Sequence, residues 1–295
     1  MPLPASPPAD VTLRVTRAFG AEPIVQSAQR PGGSVVDVLR ASIPIEATRA
    51  GFVTAIGDLR SGTLEGRDED WFYFINGVLS PVGAAQYRPA SGDHIWWDYH
   101  PWSEGFQVGA LVGAFPEPFA HGHGGKTAPT RLLHAAGFEA EASAIAARLK
   151  ELGVRDVVQV PFGPSVTIDV ETSFPLLLGP WGALVAHPAV ADIHRHAAKT
   201  GLLVEFSDRG ASGRDWHGEA PGPPAPGGAI LAAKTGARRG ACLWLVTGTG
   251  DVETRATAGL LARSPESLAG AAGLMIVDGR RVTLPLPIRP RAIPP

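Results

Sequence analysis

The sequence predicts an α+β domain followed by an α/β domain, and three observations support this. The first hundred residues give the order strand, strand, helix and further strands, whereas the remainder alternates strands with helices. Apolar residues make up 44% of the 295 residues, enough for a buried core. The 36 glycines and 28 prolines indicate many turns and loops.

Composition excludes several classes of protein. The formal net charge of −2 gives no basic field for nucleic acid. No segment reaches the roughly 18 consecutive apolar residues that a membrane span needs. The single cysteine, Cys242, excludes an internal disulfide or a cysteine-rich zinc site, and its apolar neighbours predict an inert core thiol.

The alternation of apolar and polar residues and the positions of glycine and proline predict the first elements. Val11–Arg17 alternates strictly and predicts a half-buried strand, which residues 22–28 pair with as a hairpin. Residues 31–33 (PGG) break the chain, and Ser34 is placed to cap a short helix. Another strand is predicted at residues 51–56.

The clearest local signal is a β-hairpin. Residues 71–75 (WFYFI) precede Asn76-Gly77, the pair that favours a type I′ turn, and Val78-Leu79 follow. A turn at residues 91–93 then begins a strand at 94–99. This order of elements within about 90 residues is typical of a β-grasp fold.

The second part changes to alternating strands and helices. We therefore expect a disordered tail at residues 1–9, a β-grasp-like domain at 10–103 and an α/β domain at 104–295, with a flexible Pro/Gly loop at 209–228. Within the second domain the sequence predicts strands at 106–114, 154–160, 166–170, 201–206, 242–246, 274–277 and 281–286, an apolar run at 175–179, and helices at 130–152, 188–199 and 251–262.

The aromatic strands of the first domain are apolar on both faces. Trp71 and Tyr73 point to one side of their strand and Phe72 and Phe74 to the other, and residues 94–99 repeat the pattern. The predicted helix can cover only one face. The second face must meet the second domain, a partner chain or a flat apolar ligand, and the sequence favours the second domain.

Three segments in this order carry a family resemblance: residues 51–56 (GFVTAI), 70–78 (DWFYFINGV) and 82–97 (VGAAQYRPASGDHIWW). They resemble the C-terminal domain of transcobalamin and intrinsic factor, a β-grasp-like module also found in bacterial surface proteins. The resemblance covers residues 10–103, about a third of the chain.

The resemblance implies corrinoid binding, with cobalamin as the ligand, and an extracytoplasmic location. In that family a helical barrel forms the other half of the cleft, whereas residues 104–295 are predicted to be α/β. A separate helical-barrel or transporter protein is therefore the implied partner. The positions that match the family's ligand-facing hairpin and last strand are Trp71, Tyr73, Asn76, Tyr87, Trp97 and Tyr99.

The segment at residues 120–127 (AHGHGGKT) is close to a phosphate-binding P-loop but departs from it. Ala120 stands where the motif needs glycine, and two prolines separate the loop from the preceding strand. We expect a glycine loop that lines a cleft. No metal site is expected at His121 and His123, because no carboxylate accompanies them at a recognisable spacing. None is expected at His194 and His196 either, because they lie two residues apart on a predicted helix and cannot easily share an ion.

A second glycine turn, residues 247–250 (TGTG), follows a buried strand and begins a helix. Glu253 occupies the position where a dinucleotide-binding motif needs glycine, and Asp251 and Glu253 would repel a phosphate. The two acids are therefore interpreted as helix-capping residues. The chain also contains no Gly-x-Ser-x-Gly nucleophile motif.

These observations predict a non-enzymatic extracytoplasmic binding protein that takes part in corrinoid capture or uptake. The alternative is a surface or interaction module without a small ligand. A third interpretation is an α/β enzyme that uses the glycine turns at 122–125 and 248–250. The first ten residues lack a basic start and an apolar stretch, so no signal peptide is expected there.

Overall fold

The computed structural model describes residues 10–30, 32–64, 67–102, 105–235 and 241–287. It is a mixed α/β structure with two large sheets and few helices. Within these ranges no helix has the length and apolar character that crossing a bilayer requires. The tail predicted at residues 1–9 lies outside the described residues.

The first part of the chain forms nine strands and one helix within the described residues. They are β1 (Val11–Arg17), β2 (Glu22–Gln29), α1 (Val35–Ser42), β3 (Ile45–Ala47), β4 (Val53–Ile56), β5 (Leu59–Arg60), β6 (Gly62–Leu64), β7 (Arg67–Ile75), β8 (Val78–Leu79) and β9 (His94–Pro101). The first sheet has the strand order β2-β1-β9-β7-β6, with β8 paired to β7. β1 and β9 run parallel, and the other pairs are antiparallel. A small sheet, β3-β4-β5, and α1 accompany it.

Local hydrogen bonds and backbone angles explain two of these elements, in agreement with the sequence-based prediction. The Ser34 side chain accepts a hydrogen bond from the Asp37 backbone and Asp37 reciprocates, so α1 begins with a capping box. Asn76 and Gly77 have φ values of 50° and 76°, as a type I′ turn requires. The hairpin and the helix start are therefore confirmed.

The second part of the chain alternates strands and helices. They are β10 (Thr130–His134), α2 (Glu139–Glu151), β11 (Val157–Pro161), β12 (Phe174–Pro180), α3 (Trp181–Val185), α4 (Pro188–Arg195), α5 (Ala197–Thr200), β13 (Val204–Ser207), β14 (Gly210–Gly213), β15 (Gly227–Lys234), β16 (Cys242–Gly248), α6 (Asp251–Arg263), β17 (Gly273–Val277) and β18 (Arg280–Leu284). The second sheet has the order β11-β10-β12-β16-β15-β17-β18, parallel from β11 to β16 and antiparallel beyond. A β13-β14 hairpin accompanies it.

Two predictions in the second half are wrong in type. The helix predicted at 130–152 is instead β10 followed by α2, because Gly137 adopts a φ of 81° and turns the chain between them. The strand predicted at 106–114 is a connector that ends in a 3₁₀ turn, Val112–Ala114. Its backbone forms hydrogen bonds beside both sheets. The Leu111 N–H donates to the Gly77 carbonyl oxygen in the turn after β7, and the Val112 N–H donates to the Ala272 carbonyl oxygen just before β17.

Three further differences concern single segments. Residues 166–170 form no strand. The loop predicted at 209–228 contains β14 and the buried residues Asp215 and Trp216, so much of it is packed rather than flexible. β15 (GGAILAAK) was not predicted, although it is buried almost throughout, because its small residues have little strand propensity.

Both faces of the first sheet are covered from within the chain. Trp71, Tyr73 and Trp97 belong to the cluster that contains the apolar residues of α1. Phe74 and Trp96 lie in the same buried cluster as the inner residues of β12, β15 and β16. The prediction that the second face packs against the second half of the chain is confirmed.

A buried carboxylate holds the turn between β1 and β2. Asp98 Oδ1 accepts from the Phe19 backbone N–H at 2.9 Å and pairs with His100 Nδ1 at 2.7 Å. Its Oδ2 accepts from the Gly20 N–H at 2.8 Å and from the Thr16 hydroxyl. Asp98 is almost fully buried, and hydrogen bonds from these partners offset the free-energy cost of burying a carboxylate.

The turn that Asp98 holds is pressed against the second half of the chain. Ala18, Phe19 and Gly20 all have positive φ. A Cβ on Gly20 would stand 2.1 Å from the Gly270 carbonyl oxygen and 2.7 Å from the Trp96 ring, so only glycine fits. Asp98 thereby fixes the position of the β1–β2 turn against the loop before β17.

Replacing Asp98 tests this arrangement. Asp98→Ala should lower the free energy of unfolding by about 3–5 kcal/mol, because it leaves the buried partners of the carboxylate unpaired. Asp58→Ala, at an exposed turn position, should change it by less than about 0.5 kcal/mol. Urea unfolding followed by tryptophan fluorescence measures both, and equal effects would contradict the account.

The environment of His94 predicts that the stability of the protein depends on pH. Burial, reinforced by the nearby Arg14 guanidinium, lowers the pKa of His94 to about 4. In the unfolded chain the pKa of histidine is about 6.5. Between that pH and the pKa of the folded state, the unfolded state therefore binds a proton at His94 that the folded state does not bind. The free energy of unfolding should therefore fall as pH drops from about 6.5 to about 4. Urea unfolding across this range should show a smaller fall for His94→Gln, and an identical fall would contradict the assignment.

Candidate ligand-binding cleft

Four of the predicted site residues lie on the face of the first sheet toward α1. Trp71 is opposite Tyr99, and Tyr73 is opposite Trp97, in the antiparallel register of β7 and β9. Each pair of rings has its centroids 5.0 Å apart. All four are buried, as packing in a core requires. Ligand binding by these residues stays a prediction.

The other two predicted residues lie elsewhere, in a polar cluster around Asp93. Asn76 Nδ2 donates to Asp93 Oδ1 and to the Gly122 carbonyl oxygen, both at 2.8 Å. The Tyr87 hydroxyl accepts from the Gly124 N–H at 3.0 Å, and burial together with Asp93 raises the pKa of Tyr87. These contacts hold the glycine loop against the first sheet.

A cleft of about 280 Å³ opens beside the aromatic face. Three of the predicted residues, Trp71, Tyr73 and Trp97, line it, whereas Tyr99 lines a different cleft. The wall opposite comes from the loop before β4 and the segment after β8. The remaining lining residues are Ala50, Gly51, Phe52, Val53, Asp70, Phe72, Leu79, Ser80, Val82, Gly83 and Ala84.

The hydrogen-bonding groups of this cleft differ in whether they are satisfied. The Tyr73 hydroxyl donates to the Val82 carbonyl oxygen and accepts from the Ser80 hydroxyl at 2.6 Å. Trp71 Nε1 donates to the Leu59 carbonyl oxygen at 3.2 Å. Trp97 Nε1, although buried, has no acceptor among the residues that the structure describes. An unpaired buried donor is costly, and the residue that carries it lines this cleft.

Phe52 stands at the cleft with 54% of its surface exposed. The preceding residue, Gly51, has a φ of 82°, and a Cβ there would stand 2.2 Å from the Ala85 Cβ. Glycine therefore lets the loop approach Ala85 closely and places Phe52 beside the opening. Phe52 thereby adds an exposed apolar ring to the rim of the apolar cleft.

The histidine-glycine loop does not form a phosphate cradle. Gly124 and Gly125 both have positive φ and form a tight turn in which His123 and Lys126 exchange backbone hydrogen bonds. The N–H groups of His123 and Lys126, together with that of Gly124, which donates to the Tyr87 hydroxyl, are thus engaged within the chain. No group of three or more metal-ligating side chains occurs in the described part of the chain.

The turn between β16 and α6 is also occupied by contacts within the chain. The Thr247 hydroxyl donates to the Gly179 carbonyl oxygen at 2.8 Å. A Cβ on Gly248 would stand 2.5 Å from the Thr254 backbone nitrogen, so this glycine serves close packing of strand and helix. Asp251 and Glu253 lie in the first turn of α6, where acids suit the helix dipole.

Cys242 is buried in β16. Burial raises the pKa of its thiol to about 12. The thiolate is the reactive form, so the prediction of an inert core thiol agrees with this environment.

Comparison with known proteins finds a family model that matches part of the chain. A family model described as "Domain of unknown function (DUF4430)" matches residues 32–101. A crystal structure from Ruminococcus gnavus ATCC 29149, described as a "putative metal binding protein", is similar over 32% of this chain and 99% of its own, with 15% identity and a TM-score of 0.27. That similarity is too low to transfer any property. No curated protein matches the chain.

Sequence reasoning missed Phe52 and the segment after β8 as cleft residues. The glycine before Phe52 was a local signal of a turn, but exposure of an aromatic side chain depends on the packing of distant elements. The matched range 32–101 contains Phe52, Trp71, Tyr73 and Trp97.

Proposed function

We propose that the protein is a non-enzymatic, extracytoplasmic binding protein that holds a corrinoid at the cleft of the first sheet. In this proposal residues 10–103 form a β-grasp-like domain and residues 104–295 an α/β domain. The observation that carries it is the aromatic wall of Trp71, Tyr73 and Trp97 beside the exposed Phe52, with the buried N–H of Trp97 unpaired among the described residues. A corrinoid offers a large apolar ring with amide oxygens at its edge, which match an aromatic wall and a free donor.

The size of the cleft limits how such a ligand is held. Small-molecule sites usually occupy about 300–1,000 Å³, and this cleft measures about 280 Å³. A corrinoid is larger than this, so the cleft contacts only one edge of it. The rest of the ligand needs a second surface, which supports the inferred separate helical-barrel or transporter partner.

Phe52 provides the first test. Phe52→Ala should weaken binding of cyanocobalamin by about 10- to 100-fold, because it removes about 1.5–3 kcal/mol of apolar contact. Val252→Ala, an exposed apolar position on α6, should leave affinity unchanged. Equilibrium dialysis read by corrinoid absorbance measures both. Absence of corrinoid binding by the wild-type chain, or equal binding by Phe52→Ala, would refute the proposal.

The two tryptophans of the cleft form a matched pair for a second test. Both Trp97→Phe and Trp71→Phe remove an indole N–H and a similar volume. Trp97→Phe should weaken cyanocobalamin binding by about 2- to 10-fold through the loss of one hydrogen bond. Trp71→Phe should instead mainly lower stability, because the Leu59 carbonyl loses its donor. Equal affinities for both variants would argue against a ligand at Trp97 Nε1.

The exposure of Phe52 also favours a second candidate, a module that docks a protein partner without a small ligand. An aromatic residue beside an apolar pocket is a common anchor at protein interfaces. The corrinoid titration separates the candidates. Saturable binding that depends on Phe52 supports the carrier, and no binding moves the inference to the docking module.

A further inference from the structure

A second cleft lies at one end of the first sheet, beside the residues at the end of β18. Its volume is about 410 Å³, within the range of about 300–1,000 Å³ that small-molecule sites usually occupy. Residues of β1, β7 and β9 line one side of it, and Trp216 and residues 283–287 line another. We call it the sheet-end cleft. It shares no lining residue with the cleft beside Phe52.

The strand register places the polar residues of the sheet-end cleft on one face of the sheet. Arg17 pairs with Tyr99, and Glu69 pairs with Pro101, on neighbouring strands. Arg67 lies two residues before Glu69 on β7, so its side chain leaves the same face. Burial and then the negative charge of Glu69 raise the pKa of Tyr99, and the Arg17 guanidinium lowers it. The charges of Glu69 and Arg17 therefore both act at the Tyr99 hydroxyl.

Glu69 is a buried carboxylate that accepts no side-chain hydrogen bond from the residues that the structure describes. Only 10% of its side chain is exposed. Its ion-pair partner is Arg67, whose Nη2 lies 3.6 Å from Glu69 Oε1, beyond hydrogen-bond distance. Neither carboxylate oxygen is completely enclosed, so the carboxylate can be reached from the cleft that Glu69 lines. Buried carboxylates are normally hydrogen-bonded, and this one retains unused acceptor capacity.

The pair between Glu46 and Arg60 shows how such a pair closes when its geometry is unconstrained. The two terminal guanidinium nitrogens donate to the two carboxylate oxygens at 2.7 and 2.5 Å. Both side chains are 60% exposed, where water can replace either contact. The buried pair has the greater need of such hydrogen bonds, yet it lacks them. The gap between Glu69 and Arg67 is therefore the place in the cleft that a ligand with polar groups would fill.

The apolar wall of the cleft is held in place by the second half of the chain. Residues 284–287 (LPLP) form this wall. The Leu286 N–H donates to the Arg214 carbonyl oxygen at 2.8 Å. A Cβ on Gly213 would stand 2.8 Å from Leu284 Cδ2, so glycine lets this segment pack closely. The cleft thus combines a preformed apolar wall with an open ion pair.

We propose that the sheet-end cleft binds a free α-amino acid with an apolar side chain. The ammonium group donates to Glu69, the carboxylate accepts from Arg67, and the side chain packs against residues 284–287. An amino acid carries both charged groups on one carbon, which matches two partners 3.6 Å apart. The charged residues of the cleft form pairs, Glu69 with Arg67 and Arg17 with Glu22, and this suits a ligand without net charge. Binding involves no covalent step and is independent of the corrinoid.

Three probes that differ by one charged group test the proposal. L-Phenylalanine carries both groups, phenethylamine lacks the carboxylate, and 3-phenylpropionate lacks the ammonium group. Isothermal titration of the full chain at pH 7 should show phenylalanine binding about tenfold tighter than either analogue, because each analogue loses one charge-assisted interaction. No binding of phenylalanine, or an analogue that binds as tightly, would overturn the site.

Variants assign each charged group of the ligand to its partner. Glu69→Gln should weaken binding of phenylalanine and phenethylamine by about tenfold without weakening binding of 3-phenylpropionate. Arg67→Gln should weaken binding of phenylalanine and 3-phenylpropionate. Glu46→Gln, which breaks the exposed pair outside the cleft, should change the affinity for none of the three. An equal loss of all three probes in Glu69→Gln would indicate a purely structural role and contradict the assignment.

A measurement on the wild-type protein locates the ligand, in case Glu69→Gln fails to fold. In NMR spectra of protein with ¹³C-labelled leucine methyl groups, phenylalanine should shift the resonances of Leu284 and Leu286, which line the cleft. The shifts arise because the ring current of the ligand acts only at short range. Leu152, exposed at the end of α2, should not shift. Shifts confined to other leucines would place the ligand elsewhere and overturn the site.

Discussion

Asp98 is a buried carboxylate in a strand that is apolar on both faces, and the arrangement of the two sheets depends on the groups that satisfy it. Its partners are the Thr16 hydroxyl, His100 and two successive backbone N–H groups of the β1–β2 turn. That turn meets them with positive φ at three successive residues. Once it does, Gly20 lies against Gly270 and the second half of the chain is held over the sheet.

This constraint also decides where a ligand can approach. The face that contains Phe74 and Trp96 is closed by the second sheet, and the opposite face is closed by α1. The aromatic residues that resemble a ligand surface are therefore mostly core. The rim near Phe52 stays open, and the cleft there is lined by Trp97, whose buried indole N–H is unpaired among the described residues. Glu117 is also a buried carboxylate. Both groups that pair with it, the backbone N–H and Nδ1, belong to the exposed His121.

Much of the first sheet could be predicted from the sequence because its signals are local. The alternation of Val11–Arg17, the capping box at Ser34 and the Asn76-Gly77 turn each act within a few residues. The second half carries weaker local signals. Leu132 and Leu133 suit a helix or a buried strand equally, and only the turn at Gly137 separates β10 from α2. β15 forms because neighbouring strands bury it, although its residues are small.

The candidate sites were predictable only in residue type. Trp71, Tyr73 and Trp97 have the chemistry of a ligand wall and of a core, and the sequence cannot distinguish these roles because both bury aromatic surface. The exposure of Phe52 depends on how the loop before β4 meets Ala85. Arg67 and Glu69 have the two-residue spacing of side chains on one face of a strand, but the burial of Glu69 could not be inferred without the packing around it.

Hydrogen–deuterium exchange with and without cyanocobalamin tests the central claim most directly, because it maps the contact without altering the chain. We predict increased protection at residues 51–53 and 80–84, the two segments that form the open rim, with little change in the strand cores. Protection confined to other surfaces, or no change at saturating ligand, would contradict the assignment of this cleft.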